Sequence, residues 1–335
     1  MTIKSKYVAL KNYIPLGLPK EIDFEIKSRV LELNDKNNIH VKNSWISVDP
    51  YMRARMTERK NYKPPFNIGE EMEGYAIGTV EQSASSSFNK GDLVFNNNGM
   101  RDNFICNEKD LKKINPSNLP IQSYLGPLGM TGHTAYIGLF KYGKLKEKQT
   151  VLVSSAGGSV GSTVCQIAKM LGCKVIASTG SDEKVEWLKE ELKVDHAFNY
   201  KKIDNLVLHL KETCPEGFDL YFDNVGGDFL EAAIFRMKNF GRIVICGRIS
   251  QMNVTSTPTG LKNMAHVLVK RLTIKGFLIF DHENDNDPFE SDMKKWLIEG
   301  KIKFKETVYE GIEKTPKAFI DLLNGKNIGK MLVKI

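Results

Sequence analysis

Between Val151 and Leu171 the sequence VLVSSAGGSVGSTVCQIAKML passes from a short apolar run, through a cluster of glycines, into a segment of helical periodicity. Val151 to Val153 has the composition of a buried strand, and Val160, Val164, Ile167, Ala168 and Leu171 recur at the spacing of one helix face. A strand that enters a helix across so tight a turn opens a βαβ unit, which restricts the surrounding chain to a layered α/β architecture. Against the pattern G-x-G-x-x-G, Ala156 stands at the first glycine position. Gly158 stands at the second, where a missing Cβ admits a pyrophosphate, and Gly161 at the third, where helix meets strand. The free amides of the helix N-terminus, including those of Ser159 and Val160, then point at the anion. A glycine cluster by itself serves equally well as a structural turn. Its setting between a strand and a helix of the right length favours dinucleotide binding.

The chain after Val151 sustains the same alternation. Apolar runs predict strands at 150–155, 174–178, 196–199, 219–223, 242–246 and 272–279, and amphipathic segments predict helices at 160–171, 182–192, 204–213, 227–238 and 290–299. This is the pattern of a doubly wound parallel sheet. The acidic stretch DHENDNDPFESD (281–292) reads as a turn-rich exit from it, followed by KFKETVYEG and a final helix and strand. Up to about Gly126 the rhythm differs. Short β-like pieces (DFEIKSRVLEL, HVKNSWISV, GYAIGTVEQ, DLVFNNN) alternate with turn residues, as in an irregular β domain, and SASSSFNKGD (83–92) is a surface turn within it.

At 335 residues and 41% apolar content the chain is long enough for two cores. It has no run of the length needed to span a membrane and its first residues lack the apolar core of a secretory signal, so a cytoplasmic address and no membrane partner are expected. Five cysteines without a C-x-x-C pair argue for reduced, buried thiols. The net charge of +8 comes from scattered lysines, and groups such as KLKEKQ (144–149) are interrupted by acids, so no nucleic-acid partner is expected. A basic mouth that draws in an anionic cofactor remains compatible with this charge.

An NAD site usually offers an acid to the ribose hydroxyls about twenty residues beyond the first glycine. Here the second strand ends in Ser178-Thr179-Gly180-Ser181. Ser181 reads as a helix N-cap, which places Asp182 and Glu183 in a first turn where acids suit the helix dipole. Lys184 then pairs with a 2′-phosphate or is an exposed helix lysine, and the missing strand-end acid leans towards NADP(H).

Eight segments occur together and in order: DPYMR (49–53), LGPLGMTGHTAY (125–136), SSAGGSVGS (154–162), GSDEK (180–184), FNYK (198–201), YFDNVGG (221–227), GRIVICG (241–247) and GKNIGK (325–330). Taken jointly, they resemble the zinc-independent medium-chain dehydrogenase/reductase superfamily, and within it the prostaglandin reductase, leukotriene B4 12-hydroxydehydrogenase and alkenal double-bond reductase family. The resemblance implies a GroES-like irregular β-barrel catalytic domain over 1–125, a Rossmann domain over 126–300, and a tail, 301–335, returning to the catalytic domain. It implies NADPH-dependent reduction of the C=C bond of α,β-unsaturated aldehydes or ketones, with a quinone reductase as the rival on the same scaffold.

Carried over by position, Gly158, Ser159, Val160 and Gly161 hold the pyrophosphate, Lys184 and Tyr200 the 2′-phosphate, and Asn224 a ribose or phosphate. Cys246, Gly247 and Ile249 border the cofactor, Phe277, Leu278 and Ile279 present backbone to the nicotinamide carboxamide, and Asn327 reaches in from the tail. A homodimer through the edge strand RLTIKGFLIF (271–280) is implied in the same way.

The segment that resembles the G-H-E-x-x-G of zinc-dependent relatives reads Gly69-Glu70-Glu71-Met72-Glu73-Gly74, without the histidine. Residues 1–105 hold no cysteine and one histidine, His40, so neither a catalytic nor a structural zinc site is expected. Hydride addition to the β-carbon of a conjugated alkene needs no metal but places charge on the carbonyl oxygen, where a hydrogen-bond donor is required. Tyr51 is the candidate donor, and Tyr75, Met130, Thr131 and Met252 are candidate pocket walls, while both tyrosines also fit an ordinary core edge. Family members commonly carry tyrosine after the fifth strand or before the sixth, and this chain has Met252 and Val269 in those segments. The donor therefore stays open between Tyr51, water and a cofactor ribose hydroxyl. The lost tyrosines and the +8 charge leave a nucleotide-sensing or RNA-binding protein as a reading of a different class.

Overall fold

A run such as Thr150–Val153, with three consecutive fully buried apolar side chains, is stable only inside a sheet covered on both faces. The computed structural model, which describes residues 2–33, 38–116, 118–255, 260–282, 285 and 288–335, places it at the centre of such a sheet. Contacts divide the chain into two units, Met1–Leu125 with Glu306–Asn327 and Met331–Ile335, and Gly126–Lys305 with Ile328–Lys330.

In the second unit six parallel strands, β1 (Thr150–Val153), β2 (Lys174–Thr179), β3 (His196–Asn199), β4 (Phe218–Asp223), β5 (Met237–Ile245) and β6 (Thr273–Gly276), lie in the order 3-2-1-4-5-6. Helices α1 (Met130–Ile137), α2 (Ser159–Met170), α3 (Asp182–Glu190), α4 (Leu206–Thr213), α5 (Gly227–Arg236), α6 (Met264–Val269) and α7 (Phe289–Ile298) accompany them. This is the doubly wound sheet that the sequence pattern predicts, and its strand order reverses between β1 and β4. One part of its core joins Leu152, Ile176, Leu210, Phe218, Tyr221 and Ile243.

Some boundaries differ from the expectation. The last helix before β5 stops at Arg236 rather than 238, because Met237 turns extended and already pairs with Phe218 across an irregular register. β6 ends at Gly276 rather than 279, since the chain leaves the sheet at Phe277 and forms a short 3-10 helix, Ile279–His282. The segment 126–149, for which the periodicity suggests no element, forms α1 and a π-helical turn over Gly138–Tyr142. α1 is buried nearly all round, which erases the amphipathic signal. The acidic stretch 281–292 falls partly on residues 283, 284, 286 and 287, which lie outside the described ones.

The first unit is antiparallel. Thr2–Leu10 pairs with Phe24–Glu32, and Ile39–Ser47 pairs with Ala76–Ser83, Asn103–Cys106 and Lys330–Lys334. Ala76–Ser83 in turn carries Leu93–Asn96, which carries Leu111–Lys113. Register shifts between His40 and Val41 and between Asn43 and Trp45 bend the central strand, as bulges do. The inward residues Ile39, Val41, Val80, Val94 and Phe104 form its core.

Candidate functional site

The carboxyl ends of β1, β2, β4 and β5 gather most of the residues singled out above. β1 runs into Ser154, and Ser155 adopts a left-handed φ of 50°. Ala156 N–H donates to Ser178 O at 2.9 Å, and Gly158 N–H donates back to Ser155 O at 3.0 Å, which closes the turn. Gly158 is the N-cap of α2, with no side chain to cap it, so the first amides of the helix, on Ser159, Val160 and Gly161, have no carbonyl of the same helix to bond. A Cβ on Gly161 would lie 2.5 Å from Ser155 O and 2.7 Å from Ala156 Cα, an approach only glycine permits. A Cβ on Gly158 would meet nothing closer than Ser155 O at 3.3 Å. The two glycines thus differ: the packing at Gly161 leaves no room for a side chain, and that at Gly158 is looser. The tail returns to the same turn, where Gly329 N–H donates to Gly157 O at 2.8 Å. Asn327, two residues earlier, is buried. Thr131 Oγ1 lies 2.7 Å from Ser159 Oγ, so α1 braces the first residue of α2, and Met130 is half-buried at the start of α1.

At the end of β2, Ser181 caps α3 by accepting from Lys184 N–H at 3.4 Å. Asp182 is turned away to an ion pair with Lys202 at 2.6 Å and a hydrogen bond from Asn199 at 3.0 Å, which hold its carboxyl below the usual range. Lys184 is not the exposed helix lysine of the alternative reading. Only 6% exposed, it runs its stem along Gly157, where a Cβ would sit 2.8 Å from Lys184 Cδ. Burial first, then the neighbouring charge of Lys201, lowers its pKa to about 8. Tyr200 and Lys201 follow β3, and a Tyr200 ring carbon and Lys201 Cε both lie 3.4 Å from where a Cβ on Gly180 would be, with Lys201 Nζ at 3.7 Å. The Lys201 ammonium and the Tyr200 ring therefore lie beside Gly180, and Lys184, packed along Gly157, is close enough to feel the Lys201 charge. The sequence reading names Lys184 and Tyr200 but misses Lys201, because in Lys201-Lys202 nothing local tells which lysine Asp182 takes.

At the reversal between β1 and β4 lies a buried polar network. Asp223 Oδ1 accepts from Tyr221 Oη at 2.6 Å, Ser154 Oγ at 3.3 Å, Val225 N–H at 2.9 Å and Gly226 N–H at 2.8 Å. Burial raises its pKa against the opposing pull of these bonds. Asn224 donates from Nδ2 to Ser154 O at 2.8 Å and from its backbone to Ser154 Oγ at 3.0 Å, so it staples the ends of β4 and β1 together. The amides of Cys246 and Gly247 donate to Asp223 O at 2.8 and 3.0 Å, which brings the end of β5 to the same place. Burial pushes the Cys246 thiol up to about 12, far from a reactive thiolate. Ile249 N–H donates to Asn224 O at 3.3 Å, and Met252, half-buried, follows the 3-10 turn Ile249–Gln251. Phe277, Leu278 and Ile279 are half-buried beyond the end of β6.

In the first unit, Tyr51 sits in a 3-10 helix, Pro50–Met56, and is buried. Burial, and then Asp49 and Tyr75, push its phenol well above the ordinary value, so it stays a hydrogen-bond donor. Asp49 accepts from Ser47 Oγ, and Tyr75 stacks on Phe95 with ring centres 5.1 Å apart. In the Gly69–Gly74 segment Glu71 pairs with Arg29 at 2.6 Å and Glu73 with Arg55 at 2.8 Å. Among the described residues no group of three His, Cys, Asp or Glu side chains is placed to hold a metal ion.

Residues 6–114 match the N-terminal domain of oxidoreductase family, and residues 159–295 match the family described as zinc-binding dehydrogenase. The chain is 41% identical to the 2-alkenal reductase (NADP(+)-dependent) of Nicotiana tabacum, over 99% of this chain and 98% of that protein. It is 41% identical to prostaglandin reductase 1 of Bos taurus, over 99% of both. The crystal structure of CurA in complex with NADPH from Vibrio vulnificus superposes with a TM-score of 0.90 at 37% identity, covering 98% of each chain. With its doubly wound sheet, its separate β domain and this likeness along nearly its whole length, the chain belongs to the prostaglandin reductase and 2-alkenal reductase family of the medium-chain dehydrogenase/reductase superfamily.

Proposed function

We propose that this protein is an NADPH-dependent reductase of the C=C bond of α,β-unsaturated aldehydes and ketones. The observation that carries the reading is the electrostatically coupled pair of Lys184, along Gly157, and Lys201, beside Gly180, in a chain 41% identical to a relative named for NADP-dependent 2-alkenal reduction. Two neighbouring ammonium groups suit a 2′-phosphate, which supplies about two negative charges. The cradle at Gly158 and the amides of Ser159, Val160 and Gly161 fit the pyrophosphate. Lys184, Lys201 and Tyr200 hold the adenosine phosphate. Asn224, Cys246, Gly247 and Ile249 shape the middle of the site, and Phe277, Leu278, Ile279 and Asn327 serve the nicotinamide half. When bound, NADPH supplies the hydride.

Tyr51 donates to the substrate carbonyl oxygen. Burial and the adjacent Asp49 disfavour its phenolate, which keeps the hydroxyl proton available. Tyr75, Met130, Thr131 and Met252 bound the substrate. Residues 1–125 form the substrate-side domain, 126–300 the cofactor domain and 301–335 the return segment. Among the described residues no helix is long and apolar enough to cross a membrane, and we assign the protein to the cytoplasm.

A homodimer forms through β6, which pairs with β5 and ends the sheet. The nearby Leu268, 79% exposed, and Val269 and Phe240, also exposed, support an interface there. Sedimentation at micromolar concentration tests it, and a monomer refutes it.

The activity is tested by following NADPH oxidation with a panel of 2-alkenals, enones and quinones. Turnover of alkenals or enones is expected. Preference for quinones would select the quinone reductase, and NADPH binding without any turnover would refute catalysis.

A further inference from the structure

A cluster outside the residues discussed so far ties two irregular segments of the second unit together. His282, the last residue of the 3-10 helix Ile279–His282, is only 4% exposed. Its Nδ1 lies 2.6 Å from Asp285 Oδ2, and its Nε2 lies 2.9 Å from Tyr142 Oη. With the Nδ1 proton given to the carboxylate, Nε2 accepts from the phenol, so tyrosine, imidazole and carboxylate form one continuous chain. Lys141 caps it with a bond to the same carboxylate oxygen at 2.8 Å and lies 3.2 Å from Nδ1. Lys275 Nζ, 5.9 Å from the centre of the Tyr142 ring, is a further charged group facing it.

Both Lys141 and Tyr142 belong to the π-helical turn Gly138–Tyr142, closed by Gly143 N–H to Gly138 O at 2.8 Å. Such wide turns are rare and are frequently found at functional sites. Here the displaced ring of Tyr142 stacks on Phe277 with centres 5.0 Å apart and an interplanar angle of 25°. The turn begins with a glycine for a packing reason. A Cβ on Gly138 would fall 2.5 Å from the Phe222 ring and 3.1 Å from Phe277 Cζ. The segment Phe277–Ile279 is thus gripped at its first residue by ring stacking and just beyond its last by the buried imidazole.

We infer that Tyr142, His282 and Asp285 are positioning residues that fix the segment Phe277–Ile279, and through its backbone the nicotinamide half of the cofactor. The inference rests on the proposed cofactor site. Its consequence is selective. Loosening the chain weakens contacts to the nicotinamide half and leaves the adenosine half, held at Gly180, unchanged.

The test compares the affinities of NADPH and of 2′,5′-adenosine bisphosphate, which carries only the adenosine half, for wild type, Tyr142→Phe, His282→Gln and Asp285→Asn. Tyr142→Phe keeps the stacked ring, and Asp285 is partly exposed, so a fold failure of His282→Gln leaves two informative variants. The expected result is NADPH affinity weakened about fivefold, the scale of one lost buried hydrogen bond, with bisphosphate affinity within about twofold of wild type. A purely structural role would move both ligands together or shift only the melting temperature, and either result overturns the inference. If wild type binds neither ligand, the cofactor reading fails, and the inference falls with it. If wild type binds both and the variants match it, only the positioning role is lost.

Discussion

Raising the pH from 7 to 9 should weaken NADPH binding about tenfold while leaving NADH binding nearly flat. Lys184 carries the effect. Its pKa of about 8 makes it roughly nine-tenths charged at pH 7 and one-tenth charged at pH 9. The 2′-phosphate, whose second pKa is about 6, is already about nine-tenths dianionic at pH 7 and changes little above it, so the main loss is the cation. The stability of the apo protein responds with the opposite sign. Lys184 has a lower pKa folded than unfolded, so the unfolded chain binds more protons between pH 8 and 10.5, and this group adds stability as pH rises through that window. Falling cofactor affinity therefore cannot be a consequence of Lys184 unfolding the site. Titration calorimetry of both cofactors at several pH values, with melting of the apo protein alongside, measures the two trends. Lys184→Ala should abolish the pH dependence and lower NADPH affinity at pH 7 by about tenfold to a hundredfold, the range of a charge-assisted hydrogen bond. An NADPH-to-NADH affinity ratio that stays constant from pH 7 to 9 would refute the assignment of Lys184 to the phosphate.

Gly161→Ala should destabilise the protein by about 1–3 kcal/mol in chemical denaturation, because its Cβ would press against the backbone at Ser155 and Ala156. Gly158→Ala should melt close to wild type yet lose NADPH affinity, and equal behaviour of the two variants would contradict the division of roles. Tyr51→Phe should lower kcat about tenfold or more with the NADPH affinity unchanged, measured by steady-state kinetics and binding, since it removes only a donor held protonated by burial. Asp223→Ala should cost about 3 kcal/mol or more in urea unfolding because it strands the amides of Val225 and Gly226 and leaves the buried Tyr221 hydroxyl with Ser154 alone, whereas Asp223→Asn keeps one acceptor and should cost less.

Much of the cofactor unit is legible locally. The apolar runs and glycines from Val151 onward announce β1, the turn and α2, and the alternation repeats at each later strand. Ser181 reads correctly as an N-cap from its place before Asp182 and Glu183. The losses occur where an element is buried all round, as in α1, or where the chain leaves the sheet early, as at Phe277. In the first place there is no polar face to mark a period, and in the second a ring contact with Tyr142, 135 residues away in sequence, accompanies the departure. Lys201 is missed for a related reason. Sequence offers two adjacent lysines and several acids, and only the packed structure gives Asp182 to Lys202.

The sequence by itself determines the alternation of strands and helices, the glycine turn that suits a pyrophosphate, the missing histidine in the Gly69–Gly74 segment, and the lack of a strand-end acid. All of these depend on neighbours within a few residues, where periodicity, backbone freedom and capping act directly. The tertiary structure decides that Lys201 stands beside Gly180, how deeply Lys184 is buried, that Asn224 staples β4 to β1, and that a π-turn, a histidine and an aspartate grip the segment after β6. Burial and partnership over long sequence distances set these charges and hydrogen bonds, and they exist only once the sheet has brought its carboxyl ends together.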